Sequence, residues 1–196
     1  YNKIKEQIPD NILRSFNNLF CCMANEVRNS EGNVLSKSNF IIPDDLNDDL
    51  GDILQKSKYP IKTGKHLEFR IGMINFSVVG RNASSVQRIN YNKWDQKYKE
   101  REEIVRFINE NYPTLNASIG GSISIDILEE GCDKGQVIHH LINAGAKKIV
   151  FVGDRCYPGG NDWGLIRELE KSDLAFEWYQ VENPSETLSL IRLNKV

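Results

Sequence analysis

The sequence predicts an α/β fold, and three observations carry that expectation. Residues 128–196 alternate apolar strands with helical segments, the pattern of a parallel sheet. Gly121 to Leu128 alternates with period two, placing Ile123, Ile125 and Ile127 on one face and Ser124, Asp126 and Leu128 on the other. Ahead of both, residues 66–112 read as a β-hairpin followed by an amphipathic helix.

Taken in order, Tyr1 to Ile8 reads as the tail of a helix ended by Pro9. Leu13 to Ala24 holds the apolar run Leu19 to Met23, the length of a buried strand, and Asn29 to Asn33 forms a glycine-containing turn. Residues 38–64 are polar, with an acidic stretch from Pro43 to Asp52; they predict a capped short helix and a loop whose acids are a solvated face. Two β-rich runs, Leu67 to Arg70 and Met73 to Val79, flank Ile71-Gly72, although isoleucine is poorly suited to a positive φ. Asn92 to Tyr112 predicts one amphipathic helix, ended by Pro113, whose stripe of Trp94, Tyr98, Ile104, Val105, Ile108 and Tyr112 is core. A helix follows at about 134–144 with Gly145 as its C-cap, then a continuous apolar strand at 149–152 ending in Gly153-Asp154. The rest predicts a helix at about 162–171, a strand from Leu174 to Val181, and a helix opened by Asn183-Pro184-Ser185-Glu186.

Composition bounds the function. A chain of 196 residues buries a real core as one large domain or two small ones. Its 40% hydrophobic and 27% charged residues are ordinary for a soluble globular protein, and a net charge of -2 lacks the basic footprint of a nucleic-acid binder. Four cysteines (Cys21, Cys22, Cys132, Cys156) show no metal-ligand spacing and read as reduced, mostly buried thiols of a cytosolic protein. No apolar run reaches the roughly 18 residues of a membrane span. His66, His139 and His140 fit no motif and read as structural.

Three constellations could do chemistry. In the first, a strand delivers Asp154 to the carboxyl edge of a parallel sheet, and the loop Pro158-Gly159-Gly160 returns Asn161 and Asp162 beside it. Two carboxylates and an amide oxygen suit a hard ion such as Mg²⁺; the plainer alternative is a turn with Asp162 as helix N-cap. In the second, Asp133-Lys134 sits at a strand-to-helix junction, where a lysine can neutralise a transferring phosphoryl group, or where an exposed acid-base pair is decoration. In the third, Arg70, Arg81 and Arg88 lie within 19 residues of one another, their planar forks matched to phosphate oxygens, while Ser124 and Asp126 share a face suited to sugar hydroxyls.

These residues together resemble the eukaryotic-type phosphomannomutases of the haloacid-dehalogenase (HAD) superfamily. The matching stretches are Glu68-Phe69-Arg70-x-Gly72-Met73-x-Asn75, Gly80-Arg81, Gln87-Arg88-Ile89, Gly120-Gly121-x-Ile123-Ser124-x-Asp126, Gly131-x-Asp133-Lys134, and Gly153-Asp154 through Pro158-Gly159-Gly160-Asn161-Asp162. The resemblance implies a HAD-like Rossmannoid core, residues 1–33 plus 128–196, interrupted by an inserted α+β cap domain at 34–127. It implies that Arg70, Arg81, Arg88, Ser124 and Asp126 hold the substrate's distal phosphate and sugar. Lys134 would serve the reacting phosphate as a catalytic group, and Asp154, Asn161 and Asp162 would hold Mg²⁺. The implied reaction moves a phosphoryl group between the 6- and 1-hydroxyls of mannose through a bisphosphate, in the cytoplasm, for GDP-mannose biosynthesis. The implied partners are a hexose phosphate and a second copy paired through the caps, with no nucleic acid and no membrane.

The chain departs from the family pattern in informative ways. No Asp-x-Asp-Gly-Thr nucleophile string occurs, and the chain opens Tyr1-Asn2-Lys3 without an initiator Met. The expectation is that upstream residues carry the nucleophile and the central strands of the core sheet, since without them apolar strand faces go unpaired. Ile71 replaces the family's turn asparagine and Val78-Val79 a proline-ended strand, departures that bear on sugar specificity. The competing expectations are a HAD-type sugar-phosphate phosphatase and a non-catalytic sugar-phosphate binder.

Overall fold

The computed structural model describes residues 1–195 and divides into two compact units, 1–132 and 133–196.

The first unit begins with short helices α1 (Asn2–Gln7) and α2 (Asp10–Leu13), then an antiparallel three-stranded sheet in the order β1 (Asn18–Cys21), β2 (Glu26–Asn29), β3 (Val34–Lys37). The apolar run at Leu19 supplies β1, but its partner β2 comes from a stretch with no strand pattern. What makes the hairpin is the turn between them: Cys22, Met23 and Ala24 all take positive φ, a costly conformation for three consecutive side-chain-bearing residues. Asn25 closes it, its Nδ2 donating to the Cys132 carbonyl at 3.2 Å.

Helix α3 (Asp44–Lys56) is longer than its sequence suggested and has no side-chain cap. It is held by Leu46 and Leu50, four residues apart and wholly buried, and by Asp44 and Asp45 at the positive end of its dipole. The predicted hairpin follows as β4 (Leu67–Arg70) and β5 (Met73–Phe76), in the register Arg70 opposite Met73. Ile71 escapes strain because only Gly72 takes the positive φ, of 67°.

The single helix expected over Asn92 to Tyr112 is two, α4 (Ser85–Tyr98) and α5 (Glu100–Asn111), broken where Lys99 adopts φ 58°. The break has a tertiary cause. Asp95 and Arg101 form a buried pair across it, the Asp95 carboxylate accepting from both the Arg101 backbone N–H (2.9 Å) and Nε (2.8 Å). Helix α4 opens earlier than expected on a capping box, Ser84 and Gln87 bonding reciprocally. Most of the expected stripe is core: Ile104 and Ile108 are buried, and Trp94, Val105 and Tyr112 pack against the same cluster. Tyr98, however, is 51% exposed and lies on Trp94, which stacks on the buried Tyr91 while Tyr59 meets Tyr91 edge-on.

A strand not expected above, β6 (Leu115–Ile119), whose Leu115, Ala117 and Ile119 alternate with Asn116 and Ser118, completes a four-stranded antiparallel sheet in the order β4-β5-β7-β6. Strand β7 (Ile125–Glu129) starts later than the alternation from Gly121 implied, because residues 120–124 form a loop. The face assignment holds: Ile74, Phe76, Ile125 and Ile127 join the core with α3, α4 and α5 residues, while Asn75 and Asp126 pair on the opposite face.

The second unit contains α6 (Gln136–Asn143), β8 (Lys148–Gly153), α7 (Trp163–Lys171), β9 (Ala175–Gln180) and α8 (Pro184–Arg192). β8 and β9 pair in parallel, Ile149 against Phe176 and Gly153 against Gln180. Ile138, Ile149, Cys156, Leu165, Ile166 and Leu169 form the core between this ribbon and helices α6 and α7. The continuous apolar strand is only half buried as β8, with Val150 39% exposed, and Trp178 of its partner β9 is exposed to the same degree. The last helix opens as its sequence predicted: the Asn183 side chain accepts from the Ser185 and Glu186 amides, with Pro184 at N1. Replacing Asn183 by alanine is therefore expected to destabilise this unit by about 1 kcal/mol in urea unfolding, the value of one N-cap.

Candidate functional site

In the second unit, the start of α7 brings two of the expected residues, Lys134 and Asp162, together. Asp162 occupies the N-cap position of α7, yet its side chain makes no cap hydrogen bond. Instead the carboxylate, 2% exposed, turns back: Oδ2 accepts from the Arg155 amide at 3.0 Å and Oδ1 meets the Lys134 ammonium. It packs so closely under the end of β8 that a Cβ on Gly153 would lie 2.7 Å from Oδ2. The alternative of Asp162 as an ordinary cap is thus set aside. Gly160 permits the loop, since a Cβ there would run into the Arg155 backbone.

The Asp133-Lys134 pair is not decoration either. Asp133 Oδ1 accepts from the Gly135 amide (2.7 Å) at the entry to α6, and its Oδ2 accepts from Arg167 (3.2 Å). That fixes the backbone from which Lys134 reaches Asp162. Asp154 is exposed just past β8. The thiol of Cys156 reports the charge gathered here: burial pushes it up to about 11, the Asp162 and Asp154 carboxylates push the same way, and Lys134 opposes. Asn161 contributes a buried side-chain oxygen, Oδ1, with no hydrogen-bond partner. Among the described residues no group of three His, Cys, Asp or Glu gathers as a metal site. The oxygen donors present are two carboxylates and the Asn161 amide, of which the last lacks a partner.

In the first unit, Arg70 and Arg81 converge on one acid. Glu68 Oε2 accepts from Arg70 at 3.0 Å and lies 3.1 Å from Arg81 Nε. The hydrogen bond from Arg70 holds the Glu68 carboxyl below the usual carboxylate range, with Arg81 adding to the effect. Glu68 sits directly across the sheet from Asn75, and Asn75 from Asp126, so the three form a polar row on the face away from the isoleucines. Asn75 Nδ2 donates to Asp126 Oδ1 at 2.6 Å, and both residues are almost wholly buried. Asp126 in turn favours the charged form of Arg70, though less than Glu68 does.

Ser124 and Asp126 share a neighbour. A Cβ on Gly120 would lie 2.7 Å from Asp126 Oδ2 and 3.0 Å from Ser124 Oγ, so a glycine is needed where this loop crosses the two side chains. Substituting Gly120 by alanine is expected to displace both side chains and destabilise this unit by about 1–3 kcal/mol in urea unfolding, the cost of overpacking.

Arg88 is placed differently. Its Nε donates to the Ala83 carbonyl (2.9 Å) and its NH2 group to the Arg81 carbonyl (2.6 Å). It straps the segment carrying Arg81 to the first turn of α4. Sequence reasoning missed Glu68, Asn75 and Arg101 as site-forming residues. Glu68 and Asn75 stand within the stretches that match the family, but nothing local marks them as partners of Arg81 and Asp126.

The family model described as Eukaryotic phosphomannomutase matches residues 1–194. The chain is similar to phosphomannomutase 1 of Dictyostelium discoideum, at 32% identity over 97% of this chain and 78% of that protein. It is also similar to the phosphomannomutase of Encephalitozoon cuniculi, at 33% identity over 94% of this chain and 73% of that protein. Among solved structures, a haloacid dehalogenase-like hydrolase from Bacteroides thetaiotaomicron matches with a TM-score of 0.41 and 11% identity over 87% of this chain and 74% of its own, too remote to bear on function.

Proposed function

Because the chain belongs to the eukaryotic phosphomannomutase family, we propose that it binds a hexose phosphate and serves the interconversion of mannose 6-phosphate and mannose 1-phosphate through a bisphosphate. The observation that carries this reading is the junction of Arg70 and Arg81 on Glu68, beside the buried Asn75–Asp126 pair. Two guanidinium groups carry more N–H donors than Glu68 can accept from, which leaves donors for a phosphate, and the Asp126 carboxylate nearby accepts from sugar hydroxyls.

In this reading residues 34–127 act as the cap, and residues 1–33 with 128–196 as the core. Arg70 and Arg81 bind the phosphate distant from the chemistry, Arg88 holds Arg81 in place, and Ser124 and Asp126 orient the sugar. Lys134 neutralises the reacting phosphoryl oxygens, with Asp162 fixing the ammonium. Asp154, Asn161 and Asp162 would hold a magnesium ion, and the buried, unpartnered Asn161 Oδ1 fits a hard cation's preference for oxygen. When bound, that ion would supply positive charge to the phosphoryl oxygens. Pairing of two copies through the cap and a cytoplasmic place of action belong to the proposal on family grounds. No described helix is long and apolar enough to cross a membrane.

No Asp-x-Asp-Gly-Thr string occurs among the 196 residues, so no nucleophile is assigned to them. The test is phosphorus NMR of the protein expressed from its complete reading frame, with Mg²⁺, mannose 6-phosphate and a catalytic amount of hexose bisphosphate. Growth of the mannose 1-phosphate signal is expected, lost in Arg81→Ala. Free phosphate without isomer exchange would replace this reading with a phosphatase, and binding without turnover would replace it with a sugar-phosphate binder.

A further inference from the structure

The loop at 120–124 carries Ser124 and leads into Asp126, yet it has almost no regular structure of its own. Its backbone closes with one internal hydrogen bond, the Gly120 amide to the Ser124 carbonyl at 3.0 Å. Its other carbonyls point at side chains. Ser77 Oγ donates to the Ile123 carbonyl (3.0 Å) and Asn92 Nδ2 to the Ser122 carbonyl (3.0 Å). The carbonyls of Gly120 and Gly121, and that of Ser124 again, lie 3.3, 3.1 and 3.4 Å from a single nitrogen, NH1 of Arg101.

Arg101 is built to reach that spot. Only 6% exposed, it stands in the first turn of α5, immediately past the left-handed break at Lys99. Asp95, from the last turn of α4, takes its backbone N–H with one carboxylate oxygen and its Nε with the other. The guanidinium is therefore clamped on one edge by an acid and offers the other edge to the loop. A continuous helix over residues 92–112 would leave no such clamp, so the strained Lys99 conformation and the buried ion pair have a common use. A buried ion pair seldom adds net stability over an apolar replacement, which makes a geometric role the better explanation for its presence.

We propose that Arg101 is a positioning residue for hexose-phosphate recognition: clamped by Asp95, it gathers the carbonyls of Gly120, Gly121 and Ser124 and so fixes Ser124 and Asp126 in the orientation that meets the sugar. Arg101 does not itself contact substrate in this scheme. The inference rests on the proposed assignment of Ser124 and Asp126 to the sugar, while the tether itself is independent of any ligand.

Two variants test it. Arg101→Lys keeps the charge against Asp95 but lacks the planar fork that spans the acid and the carbonyls at once. The double variant Asp95→Asn/Arg101→Met removes the pair without leaving an orphaned charge, which guards against simple unfolding. In both, hydrogen exchange of residues 120–126 is expected to quicken about tenfold or more, as a local opening loses one charge-assisted tether, while exchange in β4 and β5 and the melting temperature stay near wild type. Calorimetric affinity for mannose 6-phosphate is expected to fall about tenfold in parallel. Unchanged exchange at 120–126 would overturn the tether. Faster exchange with unchanged affinity would overturn the positioning role, leaving Arg101 purely structural. A wild-type chain that binds no hexose phosphate would instead overturn the functional reading, with the exchange result still deciding whether the tether exists.

Discussion

Replacing Gly80 by alanine is expected to cost the 1–132 unit about 3 kcal/mol or more, from a left-handed conformation and a hard overlap together. Gly80 has φ 86°, which alone costs a side-chain-bearing residue on the order of 1–2 kcal/mol. The new Cβ would also run into the Thr63 carbonyl oxygen, a backbone atom that cannot swing aside. Thr63 is itself tied to this strand end, its amide and hydroxyl both donating to the Val79 carbonyl, at 3.0 and 2.6 Å. Relief therefore means moving residues 79–81, and Arg81 with them. Urea unfolding should show the stability loss, and calorimetry should show mannose 6-phosphate affinity falling well beyond what partial unfolding explains. Gly51 is the matched control. It lies inside α3, and a Cβ added there would meet nothing within 4 Å, so Gly51→Ala should stabilise by about 0.5–1 kcal/mol. If the two substitutions behave alike, the account of the Gly80 turn is wrong.

Lys134→Met is the second large effect. The Asp162 carboxylate is buried at 3% side-chain exposure, whereas the Lys134 side chain is 30% exposed. Removing the lysine leaves that carboxylate with the Arg155 amide as its remaining hydrogen bond given by the structure. Breaking a fully buried pair costs about 3–5 kcal/mol; the partial exposure of Lys134 reduces the expected loss to about 2 kcal/mol. Stability measured by tryptophan fluorescence should drop in Lys134→Met and largely recover in Lys134→Met/Asp162→Asn, where no charge is orphaned. Under the proposed role of Lys134, calorimetric affinity for mannose 6-phosphate should stay low in both, because both lack the ammonium assigned to the phosphoryl oxygens. Recovery of affinity with stability would show Lys134 to be structural.

The parts of the fold that the sequence foretold are those governed by local chemistry. The β4–β5 hairpin needed only Gly72 between two β-rich runs, the α8 cap only Asn183-Pro184, and the β8–β9 ribbon only two apolar runs spaced by a helix. The parts that stayed hidden are set at a distance. Leu115 to Ile119 alternates apolar and polar residues over only five positions directly after a helix, and becomes β6 through its pairing with β7. The break at Lys99 is invisible in a helical pattern because Asp95 and Arg101 impose it from their partnership with the 120–124 loop. The same division runs through the candidate site. Arg70, Arg81, Lys134 and Asp162 stand out by residue type near strand ends and glycine-rich turns. Glu68 does not, since an acid two residues ahead of an arginine reads as surface until the fold brings Arg81 beside Arg70 on its Oε2.

Titration of this chain with mannose 6-phosphate, beside mannose and inorganic phosphate, tests the central claim most directly. Saturable binding of mannose 6-phosphate is expected, tighter than either fragment, and lost in both Arg81→Ala and Asp126→Leu. Binding of free mannose as tightly as its phosphate, or affinity untouched by Arg81→Ala, would contradict the assignment of the Arg70–Glu68–Arg81 junction to a phosphate.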